Sequence, residues 1–201
     1  MLIAGLTGGL ASGKSFVAAA LRGLGCYVIE ADELGHEVLS PGGSAYSRAV
    51  EEFGEGILRE DGSIDRSRLA AIVFSDPVQL ARLNRIVHPA VQALAQQRFA
   101  EIARGDPDGI GIYVAAILVE TGGYREFPKL ILVTCGREQQ IARAMQRAGA
   151  KESDVLARLA RQMPVEEKKA VADYVIDTGG TVEATLRQTK MVFEELRKLA
   201  Q

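Results

Sequence analysis

Apolar residues in this chain fall into two kinds of pattern: short continuous runs near the start and in the second half, and helically spaced positions almost everywhere else. Residues 2–7 are such a run and lead directly into glycines. From Lys14 to Leu24 the apolar positions Phe16, Val17, Ala20, Leu21 and Leu24 recur at the spacing of one helix face. The prediction is strand, glycine loop, helix. Tyr27-Val28-Ile29 reads as a second strand that ends in Glu30-Ala31-Asp32 and so delivers carboxylates to its carboxyl end. From Asp32 to about Arg104 the pattern is helical, punctuated by Ser40-Pro41-Gly42-Gly43, Asp61-Gly62-Ser63, Ser75-Asp76-Pro77 and His88-Pro89, each a turn or a helix start. Strand patterns return at residues 111–119 and 130–134, continuous enough to be covered on both faces. Tyr174-Val175-Ile176 is the last strand, followed by Asp177-Thr178-Gly179-Gly180 and an amphipathic helix to about Leu199.

Five apolar strands separated by helices predict an α/β fold with a five-stranded parallel sheet and helices on both faces, because parallel neighbours need crossover connections. The long helical stretch is an insertion into that fold. Ligands are expected at the carboxyl ends of the strands. Composition fits: of 201 residues, 47% are hydrophobic and 25% charged, which argues against disorder or a fibrous repeat. A net charge of −2 offers no general attraction to nucleic acid or an anionic membrane. The apolar start is too short for a signal sequence or a membrane span, so a cytoplasmic protein is expected. Cys26, Cys135, His36 and His88 do not have zinc-site spacing, and the cysteines are read as reduced thiols packed near strands.

The sharpest chemical signal is Gly8-Gly9-Leu10-Ala11-Ser12-Gly13-Lys14-Ser15, which fits G-x-x-x-x-G-K-[ST] and lies between a predicted strand and a predicted helix. Glycines let successive backbone N–H groups turn inward around a phosphate, and the helix presents its free amides to the same anion. Lys14 is then expected to bridge the β- and γ-phosphates of ATP and the Ser15 hydroxyl to ligate Mg2+, with Phe16 following in the helix. The alternative is a glycine turn capped by Ser12 with a solvated Lys14, although a lysine in a first turn opposes the helix dipole. A kinase also needs a carboxylate to position or deprotonate the acceptor hydroxyl. Asp32 is the candidate, at the end of a strand expected to lie next to the phosphate loop; its other reading is a helix N-cap.

The run of residues 6–15, then Glu30-Ala31-Asp32 and Ser40-Pro41-Gly42-Gly43, resembles the opening of the dephospho-CoA kinase family. Leu83-Asn84-Arg85-Ile86-Val87-His88-Pro89, Ile117-Leu118-Val119-Glu120, residues 143–147, Gln162-Met163, Glu167-Lys168 and Ala172-Asp173-Tyr174-Val175-Ile176 resemble that family's later blocks in order. The resemblance implies transfer of the ATP γ-phosphoryl to the ribose 3′-hydroxyl of dephospho-CoA, the last step of coenzyme A synthesis, with Asp32 as base. It also implies a nucleotide-binding core (residues 1–32, 106–136 and 170–201), a helical acceptor domain (33–105) and a lid (137–169). A monomer or weak homo-oligomer is expected. Glu30 stands where the family usually has aspartate, His36 where arginine is frequent, Ala116 where proline is, and Thr178 where asparagine is. His36 and His88 are candidate acceptor contacts, or a surface histidine and part of a helix start respectively. Glu120, at the end of the third predicted strand, is suited to holding magnesium through water or an acceptor group, or to a structural ion pair. Arg48, Arg66 and Arg68 could serve the acceptor or be solvated.

Residues 137–169 carry eight Lys or Arg against five Asp or Glu, so positive charge is concentrated there. Arg143 and Arg147 are four apart and Arg158 and Arg161 three apart, so each pair can share a helix face. Arginines brought over the γ-phosphate neutralise charge in the transition state. Arg147 is the first candidate; Arg143 is the second, packing near the adenine. The loop alone also admits another small-metabolite kinase or a GTP-binding switch, for which Asp177-Thr178-Gly179-Gly180 mimics one element.

Overall fold

The computed structural model describes residues 1–146 and 151–201. Its chain divides into two compact units, one of residues 1–29 and 102–201, the other of residues 30–101. In the first, β1 (Leu2–Gly8) runs into the glycine loop and α1 (Lys14–Gly23), and β2 (Tyr27–Glu30) follows. The helical stretch then begins with α2 (Ala31–Val38), α3 (Tyr46–Phe53), α4 (Arg66–Ser75) and α5 (Pro77–Gly105). The chain continues through β3 (Ile110–Val114), β4 (Lys129–Thr134), α6 (Arg137–Met145), α7 (Glu152–Ala160), α8 (Val165–Lys169), β5 (Tyr174–Asp177) and α9 (Val182–Ala200).

The five strands form one parallel sheet in the order β2-β3-β1-β4-β5. β1 is central, with Leu6 opposite Val114 on one side and Ile131 on the other. That order corrects one expectation: β3 separates β2 from β1, so the strand preceding Asp32 is not the neighbour of the strand that launches the phosphate loop. A crossover can return on either side of a parallel strand, and hydrophobicity does not say which.

β1, β3 and β4 are buried on both faces, as continuous apolar runs require. On one face Ala4, Leu6, Ile112, Ile131 and Val133 pack with Val17, Ala18 and Leu21 of α1 and Val192 and Leu196 of α9. The other face admits close neighbours at Gly5, where a Cβ would lie 3.1 Å from both Leu118 Cδ1 and Phe127 Cδ2. Cys26 joins the first core, and burial pushes its thiol up to about 12. Cys135 is also a free thiol, raised by desolvation.

The third strand is shorter than its apolar run. β3 stops at Val114, and residues 117–122 close a turn in which Thr121 N donates to Ile117 O (3.0 Å) and Gly122 N to Val119 O (3.1 Å). Leu118 and Val119 are buried from within that turn, and an apolar run does not distinguish this from a strand.

In the helical unit, Ala49, Ile57, Ile64, Leu69 and Val73 form a separate core. Asp65 caps α4, its carboxylate accepting from Ser67 N (2.9 Å) and Arg68 N (3.2 Å). Asp76 precedes Pro77 and accepts from Val78 N (2.8 Å), so this proline occupies the first turn where its missing N–H costs nothing. The second Xaa-Pro step behaves differently. His88-Pro89 lies inside the 29-residue α5 and not at a helix start. An interior proline costs about 3 kcal/mol, and burial of Ile86, Val91, Ala95 and Phe99 on either side of it offsets that loss. Among the described residues, no helix is long and apolar enough to cross a membrane.

Candidate active site

The glycine loop is built as a phosphate cradle. It turns through Gly13, whose φ of 91° is left-handed, and through Ala11, whose φ of 53° is left-handed without the freedom of glycine. Such a non-glycine conformation costs about 1–3 kcal/mol and persists only where its surroundings hold it. They do: Leu10 and Ala11 pack on Ala144, Val155 and Leu159 from α6 and α7. Gly8 has no room for a side chain, since a Cβ there would lie 2.4 Å from Val133 O and 2.7 Å from Ser12 Oγ. Lys14 turns onto the loop, its Nζ donating to Gly8 O (2.7 Å) and Gly9 O (2.9 Å). Ser12 is buried, and its Oγ has no hydrogen-bond partner among the described residues. It does not cap α1, whose N-cap is Gly13.

A second layer fixes the loop from behind. The Thr178 hydroxyl donates to Ser12 O at 2.7 Å, and Arg143 reaches the same residue, donating to Thr178 Oγ1 (2.9 Å) and Thr178 O (2.7 Å). From α6, Gln140 Nε2 donates to Leu10 O (3.0 Å), while Leu10 N donates to Gln162 Oε1 (3.0 Å) just past α7. Asp177, which resembled a switch element, holds its own turn by accepting from Gly179 N at 2.8 Å.

The remaining candidates divide between the units. Ser15 and Phe16 lie in the first turn of α1, both exposed. Glu120 lies six residues past the end of β3, in the turn, where it forms an ion pair with Lys168 of α8. The Lys168 side chain is 3% exposed, and Glu120 Oε2 is buried with no hydrogen-bond partner among the described residues. Glu120 also lines a cavity of about 420 Å³ with Thr121, Tyr124, Arg125, Met163 and Glu167. In the helical unit, Asp32 is the second residue of α2, exposed; Glu30, not Asp32, is the N-cap. His36 is exposed in the last turn of α2 and His88 is exposed within α5. Arg147 lies outside the described residues.

The loop would serve many nucleotide-binding proteins, but the match to known proteins extends far beyond it. The family model described as dephospho-CoA kinase matches residues 2–183. This chain belongs to the dephospho-CoA kinase family. A dephospho-CoA kinase from Geobacter sulfurreducens is 45% identical over 194 residues, covering 96% of this chain and 98% of that protein. One from Aquifex aeolicus is 43% identical, with coverages of 96% and 97%. A solved structure from Thermus thermophilus superposes with a TM-score of 0.82 at 33% identity over 97% of each chain. A dephospho-CoA kinase structure from Campylobacter jejuni shares the fold, with a TM-score of 0.66.

Within this dephospho-CoA kinase framework, the sequence pointed to Arg143, Gln162 and Thr178 but not to the contacts they make, and it missed the glutamines of α6. Gln139, whose Nε2 donates to Gly179 O at 2.8 Å, and Gln140 carried no signal, because a glutamine in a helix is ordinarily solvated. Lys168 was visible as part of the Glu167-Lys168 block and of a basic stretch, but its burial and its pairing with Glu120 were not legible. Thr178 was visible as a departure from the family's usual asparagine; its hydroxyl performs a definite task, joining Arg143 to the loop.

Proposed function

We propose that this chain transfers the γ-phosphoryl group of ATP to the ribose 3′-hydroxyl of dephospho-CoA, giving coenzyme A and ADP. The observation that carries the reading is the strand–loop–helix cradle with Lys14 turned onto it, in a chain matched to the family over residues 2–183. The backbone amides of residues 8–15 and the amino end of α1 bind the phosphates, and Lys14 bridges the β- and γ-groups. Arg147 neutralises charge on the transferring phosphoryl, with Arg143 holding the nucleotide side in place through Thr178. Asp32 accepts the proton of the acceptor hydroxyl, and His36, His88 and Glu120 contact the acceptor. Residues 33–105 bind the acceptor and residues 137–169 close as a lid.

Magnesium fits the donor chemistry. The Ser15 hydroxyl is a hard oxygen donor exposed beside the loop, and no cluster of three His, Cys, Asp or Glu able to cage a metal exists among the described residues. This suits an ion held by one hydroxyl and the substrate phosphates. Bound there, it withdraws charge from the β- and γ-phosphates. The reaction needs neither nucleic acid nor membrane, and we assign it to a cytoplasmic monomer or weak homo-oligomer.

ADP release is to be measured with dephospho-CoA, with nucleoside monophosphates and with no acceptor. Magnesium-dependent turnover is expected with dephospho-CoA alone. Asp32→Asn lowers kcat while leaving ATP binding intact; unchanged turnover in that variant removes Asp32 from the role of base.

A further inference from the structure

The helical unit contains a cavity of about 260 Å³ lined by His36, Leu39, Pro41, Arg59, Ile64 and Arg66, together with Ser40 and Ser63. Three of these side chains are cationic or can become so, and none of the lining residues is acidic. Two carboxylates adjacent in sequence to lining residues, Asp61 and Asp65, are already engaged. Asp65 caps α4 and stands 3.7 Å from both Arg59 Nε and Arg68 Nε, and the hydrogen bonds from Arg68 N and Ser67 N help hold its carboxyl below the usual range. Asp61 is occupied by Ser63, accepting from its N (2.9 Å) and Oγ (2.6 Å). Ser40 Oγ donates to His36 O (2.8 Å), so neither serine hydroxyl is the donor that an incoming ligand would use. The guanidinium of Arg66, at the first position of α4, has no hydrogen-bond or ion-pair partner among the described residues. Two arginines, whose guanidiniums each carry five N–H donors, and a histidine therefore line one space together with Leu39, Pro41 and Ile64.

A free arginine on a polar helix is ordinarily solvated. This one lines a cavity that a second arginine also lines, and the apolar lining suits a ligand whose anionic part adjoins an aliphatic one. The volume is smaller than the roughly 300–1,000 Å³ that encloses a whole small molecule, so the cavity fits part of a ligand. We propose that it binds the diphosphate of the acceptor, with Arg66 and Arg59 as its ligands and Leu39, Pro41 and Ile64 against the adjoining aliphatic arm. The assignment rests on the acceptor being dephospho-CoA. Arg66 is then a specificity residue that distinguishes acceptors carrying a diphosphate from those that do not. His36 adds a third, weaker donor where the family more often has arginine.

Arg66→Gln and Arg59→Gln are to be compared with the unaltered chain in steady-state kinetics and in calorimetric titration with inorganic pyrophosphate, the phosphate loop being saturated with a non-hydrolysable Mg-ATP analogue. Arg66 is exposed and without a structural partner among the described residues, so a thermal melt is expected to be unchanged. A hydrogen bond to a charged group contributes about 1.5–3 kcal/mol, so the KM for dephospho-CoA should rise at least about 10-fold in Arg66→Gln. The KM for ATP and kcat should stay within about 2-fold, pyrophosphate binding should weaken in parallel, and Arg66→Lys should recover part of the loss. An unchanged KM for dephospho-CoA in both variants, or a fall in kcat alone, overturns the proposal. If the unaltered chain does not phosphorylate dephospho-CoA, the proposed function fails by itself. The titration still decides the cavity: equal pyrophosphate binding by unaltered and Arg66→Gln chains rejects it.

Discussion

Glu120→Gln is the most informative single substitution, because it separates the structural from the chemical work of one carboxylate. Lys168 is 3% exposed at its side chain and Glu120 is 20% exposed, so the pair is largely out of water. Removing the carboxylate charge leaves a buried ammonium whose remaining partner is a neutral amide. Breaking a buried pair in this way costs about 3–5 kcal/mol, and the partial exposure of Glu120 places the expected loss near ~3 kcal/mol. For a chain of this length each kcal/mol shifts Tm by about 2–4 °C, so a fall of about 6–12 °C is expected. Lys168→Met leaves a carboxylate with some access to water and should cost less. The double variant Glu120→Gln/Lys168→Met leaves no buried charge at this position and should recover most of the stability, giving a coupling energy of roughly 1–3 kcal/mol. Urea unfolding of the four proteins measures it. If the two single effects simply add, or if Glu120→Gln lowers Tm by less than about 2 °C, the reasoning from burial is wrong. The same four proteins test the acceptor role: stability should return in the double variant while the KM for dephospho-CoA remains raised. Recovery of both would confine Glu120 to the ion pair.

Thr178→Val removes the hydroxyl that links Arg143 to the Ser12 carbonyl; leaving these groups unsatisfied should cost about 1–3 kcal/mol and raise the KM for ATP more than that for the acceptor, as initial-rate kinetics would register. The carboxyl of Asp173 is partly desolvated, which raises it, but hydrogen bonds from Lys129 Nζ (2.8 Å) and Leu130 N (2.9 Å) and the Lys129 charge outweigh this and hold it below its ordinary value of 3.8. Its folded-state pKa being the lower one, its contribution is complete above the unfolded-state value and is lost as pH falls through the folded one. The stability difference between the unaltered chain and Asp173→Asn should therefore be constant near neutrality and shrink only below about pH 4; a difference that changes between pH 6 and 8 would contradict this.

Part of this protein was fixed by local chemistry and could be read directly. The phosphate loop depends on residue types at set spacings: glycines where Gly8 touches Val133 O and where Gly13 is left-handed, a lysine and a serine at the start of a helix. These residues occupy eight consecutive positions, although the atom that Gly8 must clear, Val133 O, belongs to β4. The five strands were legible for a related reason, since strands buried on both faces must be continuously apolar. Local pattern misled where two structures place the same demand on a residue. Leu118 and Val119 are apolar because they are buried, and a turn buries them as well as a strand would. Pro89 announced a helix start, yet α5 runs through it because packing on either side outweighs one missing hydrogen bond.

Other features were decided only when distant segments met. The insertion of β3 between β1 and β2 depends on where a crossover returns, a choice made by the whole sheet. The pairing of Glu120 with Lys168 spans 48 residues, and the contact of Gln140 with Leu10 spans 130. Nothing near a glutamine or a lysine in sequence says that its polar end will be taken out of water and given one partner. Sequence thus determined where the glycine loop forms, because its glycines and the helix start that follows lie in one short run. The tertiary structure determined what keeps the loop in that shape, because the donors and acceptors that do so belong to side chains that folding alone brings within hydrogen-bond distance.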